Sequence, residues 1–272
     1  MTLAHFIRNP DFGTGCYRRL LRFYRLRHAT LGTLDDTHHA MWLLLRHDDA
    51  VITDIEAAIS RGPATSCPGS VPGLRELIGQ PLGAESRALT SALTRTANCT
   101  HLSDLAVWTA RATMKAAGPD SPDPTCYSIS VADDDGAPFW VEIMRDGRPL
   151  HKWLVSGQDV IAPAALAGMP LMRGFMARAL THFEGDALEA AIMLQRGLFV
   201  SRGRRHIVDR TPVPLRHAQD MENACYSYSG DQWLSAENNI GYVRDFTDGV
   251  RPHPLPDHIL HLLREQHQHQ DP

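Results

Sequence analysis

The chain has 272 residues, of which 43% are hydrophobic and 21% charged, with 20 Gly, 18 Pro and a formal net charge of −4. That balance excludes a disordered tail, a collagen, a disulfide-dense miniprotein and a strongly basic nucleic-acid binder. The length suits one large domain or two modest ones, with room for a sizeable core.

Met1 to Pro10 lacks the basic start, apolar stretch and cleavage site of a secretory signal, because His5 and Arg8 interrupt its only apolar run. The longest apolar run, Ala40 to Leu45, is far too short to span a bilayer. A cytoplasmic protein is expected, and the five cysteines at 16, 67, 99, 126 and 225 are expected to be reduced thiols.

In chain order, strand-like alternation runs through Cys16 to Leu26, then a turn around Gly32 to Asp36, a strand Ala40 to Arg46, the turn His47-Asp48-Asp49 and a strand Val51 to Ala58. In the last strand Val51, Thr53 and Ile55 share one face, and Ile52, Asp54 and Glu56 the other. The segment reads as an antiparallel meander. Helical pattern follows: Cys67-Pro68 opens a stretch with Leu74, Leu77 and Ile78 on one face and Gly79 placed as its C-terminal cap. A longer helix starts after Asn98-Cys99-Thr100, carries Leu102, Leu105, Ala106, Thr109, Ala112, Thr113 and Ala116 on one stripe, and stops at Gly118-Pro119.

The three prolines within Gly118 to Pro124 mark a linker. Beyond it, Cys126 to Val131 and Phe139 to Met144 flank Asp133-Asp134-Asp135-Gly136 as a hairpin, followed by a strand His151 to Val155 and helices Leu171 to Phe183 and Ala187 to Arg196. The histidine-rich tail, His253 to His269, holds a short helix Ile259 to Glu265, with His267 and His269 expected to be disordered or opportunistic metal binders. The expected class is α+β: a meander with helices on one face over 1–118, then a second α+β region over 119–272, either separate or part of the same globule.

His39, Cys67 and Cys99 sit at the starts of three of these elements. Helices packed on one face of the meander bring both thiols to one end of it, near His39. A helix N-terminus favours the thiolate, the form that binds metal. The competing reading is that Cys67 and Cys99 are small core residues and His39 a satisfied strand histidine.

The run from His39 through Glu56, then Thr65-Ser-Cys67-Pro, Leu77-Ile-Gly79 and Asn98-Cys99-Thr-His101-Leu-Ser-Asp104-Leu resembles a family of bacterial proteins of unknown function, DUF2889. Cys225-Tyr-Ser-Tyr and Gly241-Tyr-Val-Arg-Asp-Phe246 resemble it too. More distantly, the first half is similar to the iron–sulfur-cluster scaffold fold. That resemblance implies a metal held at His39, Cys67 and Cys99, while Thr37 stands where the scaffold has a third cysteine. Cluster ligation usually takes four thiolates, so the departure argues against cluster assembly.

One imidazole and two thiolates form a zinc-type shell, with iron as the alternative ion. Water, substrate, His101 or His38 would complete it. A closed shell is structural, and an open one lowers the pKa of a bound water or substrate hydroxyl. Around it, His101, Glu56 and Asp104 are the candidate proton-transfer groups: Glu56 as a base or an edge-facing carboxylate, Asp104 as an orienter of His101 or part of a solvated face. Tyr226, Tyr228 and Trp233 line an aromatic pocket or pack in the core.

No P-loop, dinucleotide fingerprint or serine-hydrolase elbow is present, and basic residues are interspersed with acidic ones. A small-molecule substrate is expected, with no nucleic-acid or membrane partner; a homo-oligomer is allowed. The reading is a metal-dependent enzyme, with a noncatalytic metal-binding or assembly module as the alternative and a noncatalytic binder with core cysteines as a third. The resemblance implies a lyase on an aromatic catabolic substrate, cleaving a carbon–carbon bond in retro-aldol fashion or decarboxylating it.

Overall fold

The computed structural model describes residues 6–115 and 123–268. Its strands are β1 (Ile7–Arg8), β2 (Cys16–Leu26), β3 (Ala29–Asp36), β4 (Ala40–His47), β5 (Ile52–Arg61), β6 (Thr125–Ala132), β7 (Phe139–Arg145), β8 (Arg148–Ser156), β9 (Asp159–Ala162) and β10 (His206–Ile207). The helices are α1 (Ser86–Ala92), α2 (Thr100–Thr113), α3 (Phe175–His182), α4 (Gly185–Ser201), α5 (Gly230–Ser235) and α6 (Asp257–Gln268). A 3-10 segment, Cys67–Leu77, lies between β5 and α1. None of the described helices is long and apolar enough to cross a membrane.

Eight strands form one antiparallel sheet in the order β5-β4-β3-β2-β6-β7-β8-β9. Because β6 pairs with β2 from Cys16↔Ala132 to Phe23↔Thr125, the sheet runs continuously from the first half of the sequence into the second. The linker segment Gly118 to Pro124 lies for the most part outside the described residues, as does His269. The tail is helical through Gln268.

One face of the sheet carries the main core. There α2 covers β2 to β4 and α4 covers β6 to β8, burying Leu43, Leu102, Leu105, Ile129, Ile143, Trp153 and Leu194. The α+β class and the helices of the first half on one face are as expected; the other face is covered by α6 from the C-terminal half. Ile259 of α6 packs with Ala29, Leu31, Trp42 and Leu44 in a second apolar cluster. With helices on both sides, every residue of β3 is buried.

That burial corrects the turn expected at Gly32 to Asp36. Gly32 lies inside β3, where a β-carbon would come within 2.1 Å of Thr109 Oγ1 on α2. The glycine is a gap for the helix rather than a bend. The same device recurs where α4 crosses β6, since a β-carbon on Gly197 would lie 2.8 Å from Ile129 Cγ2.

The alternation read for β5 holds only in part. A register shift opposite Arg46 and His47 puts Ile52 into the core beside Ile55. A bulge of this kind adds one residue to a strand and swaps the face of the residues beyond it. The stretch read as a first helix is the 3-10 segment, with Pro72 inside it and Gly79 just beyond at φ +86. Pro72 has no amide hydrogen to extend an α-helical ladder, and the left-handed φ suits glycine.

Candidate active site

The turn from Asp36 to His39, which joins β3 to β4, is built on the Asp36 side chain. Asp36 Oδ1 accepts the amide hydrogens of His38 and His39, each at 2.7 Å, while the Asp36 amide donates to the His39 carbonyl at 2.8 Å. The second oxygen accepts from Arg19 Nε (2.9 Å), Arg19 Nη2 (2.7 Å) and the Tyr17 hydroxyl (2.8 Å). Arg19 and Asp36 are 1% and 0% exposed, so the ion pair is fully withdrawn from water. Burial alone would protonate Asp36, but His39 and Arg19 outweigh it and hold the carboxyl well below the usual carboxylate range.

His39 is buried, and its Nδ1 lies 3.1 and 3.3 Å from the two Asp36 oxygens. The carboxylate therefore fixes the ring and selects the tautomer that carries hydrogen on Nδ1, leaving Nε2 as the basic nitrogen. The ring of His101, one residue into α2, packs against it with centroids 4.4 Å apart. Burial, then the nearby His39 and Arg19, push the His101 pKa well below 6.5, and its Nδ1 has no hydrogen-bond partner. Burial likewise pushes His38 down to about 3, and its ring packs on Tyr242 at 5.9 Å.

The other expected residues divide. Asp104 does not orient His101: its Oδ2 forms an ion pair with Arg196 Nε of α4 at 3.0 Å. Glu56 lies away from the group, because its position opposite Leu44 puts it on the α6 face, where it meets His258 Nε2 at 2.8 Å. Trp233 and Tyr228 pack against the main core. Tyr226 accepts a hydrogen bond from Gln232 at 3.0 Å, with its hydroxyl close over Gly69.

Cys67 and Cys99 are buried near one another, with the half-buried Cys225 of the C-terminal half beside them. Three hydrogen bonds seat Cys225 there: Tyr226 N to the Asn98 carbonyl (2.9 Å), Thr100 Oγ1 to the Ala224 carbonyl (3.4 Å) and Ser227 Oγ to Cys67 Sγ (3.6 Å). The sequence pattern carries Cys225 only as part of a resemblance. Burial raises the pKa of Cys67, Cys99 and Cys225, and Cys67 raises Cys99 further. With no cation bound, desolvation opposes the helix-end effect expected for Cys67 and Cys99 and favours the protonated thiol.

The donor types of His39, Cys67 and Cys99 suit zinc, and an imidazole held by a carboxylate is the usual orientation of a metal ligand. His39, Cys67 and Cys99 are not among the described residues whose ligand atoms converge within 4.8 Å. Among the described residues, the one set of three His, Cys, Asp or Glu ligand atoms lying within 4.8 Å of one another is His28, His47 and Asp49, at the other end of β3 and β4.

Arg61, at the end of β5, ties the turn to the C-terminal segment. Its Nη1 donates to the carbonyls of Thr37 (3.1 Å) and Tyr242 (3.0 Å), and its Nη2 to those of Asp36 (2.7 Å) and His39 (2.8 Å). Arg61 also lines a cavity of about 420 Å³ with Arg244, Arg251, Phe246, Asp35 and His253. Asp35 turns to Arg22 (3.9 Å) and Asp245 to Arg204 (3.6 Å), whereas Arg61 and Arg244 bond carbonyl oxygens. The lining is of mixed charge, with Arg61, Arg244 and Arg251 alongside Asp35, Asp245 and Asp248, and the Phe246 ring lies 5.9 Å from the Arg61 guanidinium.

Residues 26–115 match the model of a family described as a protein of unknown function, DUF2889. No curated protein and no solved structure matches the chain. The matched segment holds Asp36, His39, Cys67, Cys99, His101 and Asp104, while Tyr17, Arg19, Arg196 and Cys225 lie outside it.

Proposed function

We propose that the protein is a small-molecule lyase that works by acid–base chemistry at His39, on an anionic aromatic substrate, in the cytoplasm. The observation that carries this reading is the contact of His39 Nδ1 with both oxygens of a buried carboxylate, at 3.1 and 3.3 Å, beside the His101 ring. A carboxylate so placed stabilises the imidazolium that forms when Nε2 takes a proton.

In retro-aldol cleavage the base removes the proton of a substrate hydroxyl, the carbonyl forms as the adjacent carbon–carbon bond breaks, and the electron pair passes to the departing carbon. That carbon carries an electron-withdrawing substituent, and the imidazolium returns the proton to it. His39 performs both transfers, and Asp36 stays ionised throughout. Decarboxylation uses only the second, with carbon dioxide as the leaving fragment. His101, kept neutral by burial, adds no second positive charge next to the forming imidazolium.

Substrate class rests on the cavity beside Arg61, whose lining does not include His39 and is joined to the His39 turn by the Arg61 guanidinium. A carboxylate or phenolate would meet Arg244 and Arg251, with its ring against Phe246. Incubation with a panel of hydroxylated aromatic acids, followed by mass detection of the fragments, tests this. Arg251→Gln is expected to raise KM with kcat retained; equal turnover of uncharged analogues would remove the anion from the proposal.

A second reading is favoured by the neighbourhood of Cys67, Cys99 and Cys225, from three separate segments, whose sulfurs do not converge within 4.8 Å in this structure: a noncatalytic module that would draw these thiols together around a divalent ion. Zinc or iron co-purifying at about one equivalent and lost in Cys99→Ser supports it, because thiolate ligands are the stronger anchors for such ions.

A further inference from the structure

We infer that His28, His47 and Asp49 form a second, separate site for one borderline divalent transition cation, of the zinc, cobalt or nickel kind. Two hairpins at the same end of the sheet supply it: His28 between β2 and β3, and His47, the last residue of β4, with Asp49 in the turn to β5. The two turns are bound to each other there by the His47 amide, which donates to the His28 carbonyl at 3.0 Å. Three potential ligand atoms, one per residue, lie within 4.8 Å of one another. A tetrahedral zinc shell spaces nitrogen and oxygen ligands by about 3.3 Å, so small rotations of exposed side chains close it. His28 and Asp49 are 57% and 69% exposed and free to make them.

The polar contacts point to a cation between these groups. Asp49 reaches both rings at once, with Oδ1 3.2 Å from His47 Nδ1 and Oδ2 3.7 Å from His28 Nδ1. The Asp49 amide also donates to His47 Nδ1, at 3.2 Å. Asp49 thus brings a carboxylate oxygen to each imidazole, a contact that a ring hydrogen satisfies in the metal-free protein and that a shared cation would replace.

Backbone geometry favours the arrangement, since Asp49 adopts φ +70, a left-handed conformation that Asp and Asn tolerate better than most residues. Two imidazoles and one carboxylate make a ligand set suited to zinc, cobalt or nickel and less so to calcium or magnesium. The site is independent of the Asp36–His39 turn, which lies at the far end of β3, eight residues or roughly 26 Å of strand away.

Cobalt(II) titration of the full chain after chelator treatment, followed by visible absorption, tests this. One equivalent is expected to bind with a nitrogen–oxygen spectrum free of sulfur-to-cobalt charge transfer. Binding is expected to weaken at least about tenfold in His28→Ala and in Asp49→Asn, as loss of a direct ligand should cost no less than loss of an outer partner. Asp48→Asn, next in sequence, should leave it unchanged. No uptake, or equal uptake in wild type, His28→Ala and Asp49→Asn, overturns the inference. A sulfur band that survives in His28→Ala while one equivalent disappears supports both this site and the thiol reading. The same band with no equivalent lost leaves only the thiols.

Discussion

His39 lies between two groups that treat it differently: Asp36 meets its Nδ1 at 3.1 Å, while the His101 ring packs against it at a tilt of 57°, with centroids 4.4 Å apart. The carboxylate sets the direction of the ring and the second imidazole limits its tilt. Both come from segments far apart in sequence from the cavity wall at Arg244 and Arg251, which Arg61 connects to the turn through four carbonyl oxygens.

Asp36→Asn is expected to destabilise the fold by about 3–5 kcal/mol, the usual effect of leaving one member of a buried ion pair uncompensated. Arg19 would keep its charge with 1% exposure and no carboxylate. Urea denaturation of the two proteins measures the difference, and a loss below about 1 kcal/mol would show that the charge at this turn is dispensable.

Stability is expected to fall as pH drops below neutrality. His38 and His101 titrate near 6.5 when unfolded, but burial lowers both in the fold, His38 to about 3. Below about pH 6.5 the unfolded chain gains protons that the folded chain does not, so each group costs up to about 1.4 kcal/mol per pH unit on the way down. Asp36 has the opposite timing: its stabilisation is complete above the unfolded carboxyl value, near 4, and is lost only as pH falls on through its depressed folded value. Unfolding curves at pH 7, 6 and 5 test the histidine part, and His38→Gln should flatten the slope by about one proton.

Gly32→Ala is expected to cost about 1–3 kcal/mol through overpacking. The added methyl would sit 2.1 Å from Thr109 Oγ1 and 3.2 Å from Leu105 Cδ1. Thr109→Ala in the same chain should recover part of the loss, giving a coupling energy of about 0.5 kcal/mol or more in a double-mutant cycle. Additive effects would mean that α2 shifts as a body instead.

Cys67 and Cys99 are expected to alkylate far more slowly at pH 7 than after unfolding, because burial both shields them and raises their pKa. Peptide mapping after a timed iodoacetamide pulse reads each thiol separately. Rapid labelling of Cys99 in the native chain would mean that its environment favours the thiolate.

Much of the fold is legible in the sequence wherever one periodicity acts alone. Alternation locates β2, β6 and β7, a short apolar run locates β4, and the 3.6-residue stripe from Leu102 locates α2. Legibility fails where two packing partners compete for one segment. Residues of β3 face α2 on one side and α6 on the other, so Thr30, Leu31, Gly32 and Thr33 show no polar face, and Gly32 imitates a turn. The site is legible only at its histidines. Asp36 reads as part of a turn, although an Asp three residues before a His is well placed to cap that turn and reach the ring. Tyr17 and Arg19 carry no local signal, since their partner lies across the β2–β3 pair, and Cys225 reaches Cys67 only through contacts made by the folded chain. Glu56 falls on the wrong face for a short reason, that strand alternation fixes which residues share a side but not which side the active turn will occupy.

The most direct test of the central claim is the rate of carbon–carbon cleavage of hydroxylated aromatic acids by wild type, His39→Gln and Glu56→Gln. Loss of at least about 100-fold in kcat for His39→Gln, the scale of a removed general base, with Glu56→Gln within about threefold of wild type, is the predicted result. Cleavage that persists in His39→Gln, or no cleavage of any acid in the panel by wild type, would contradict the account.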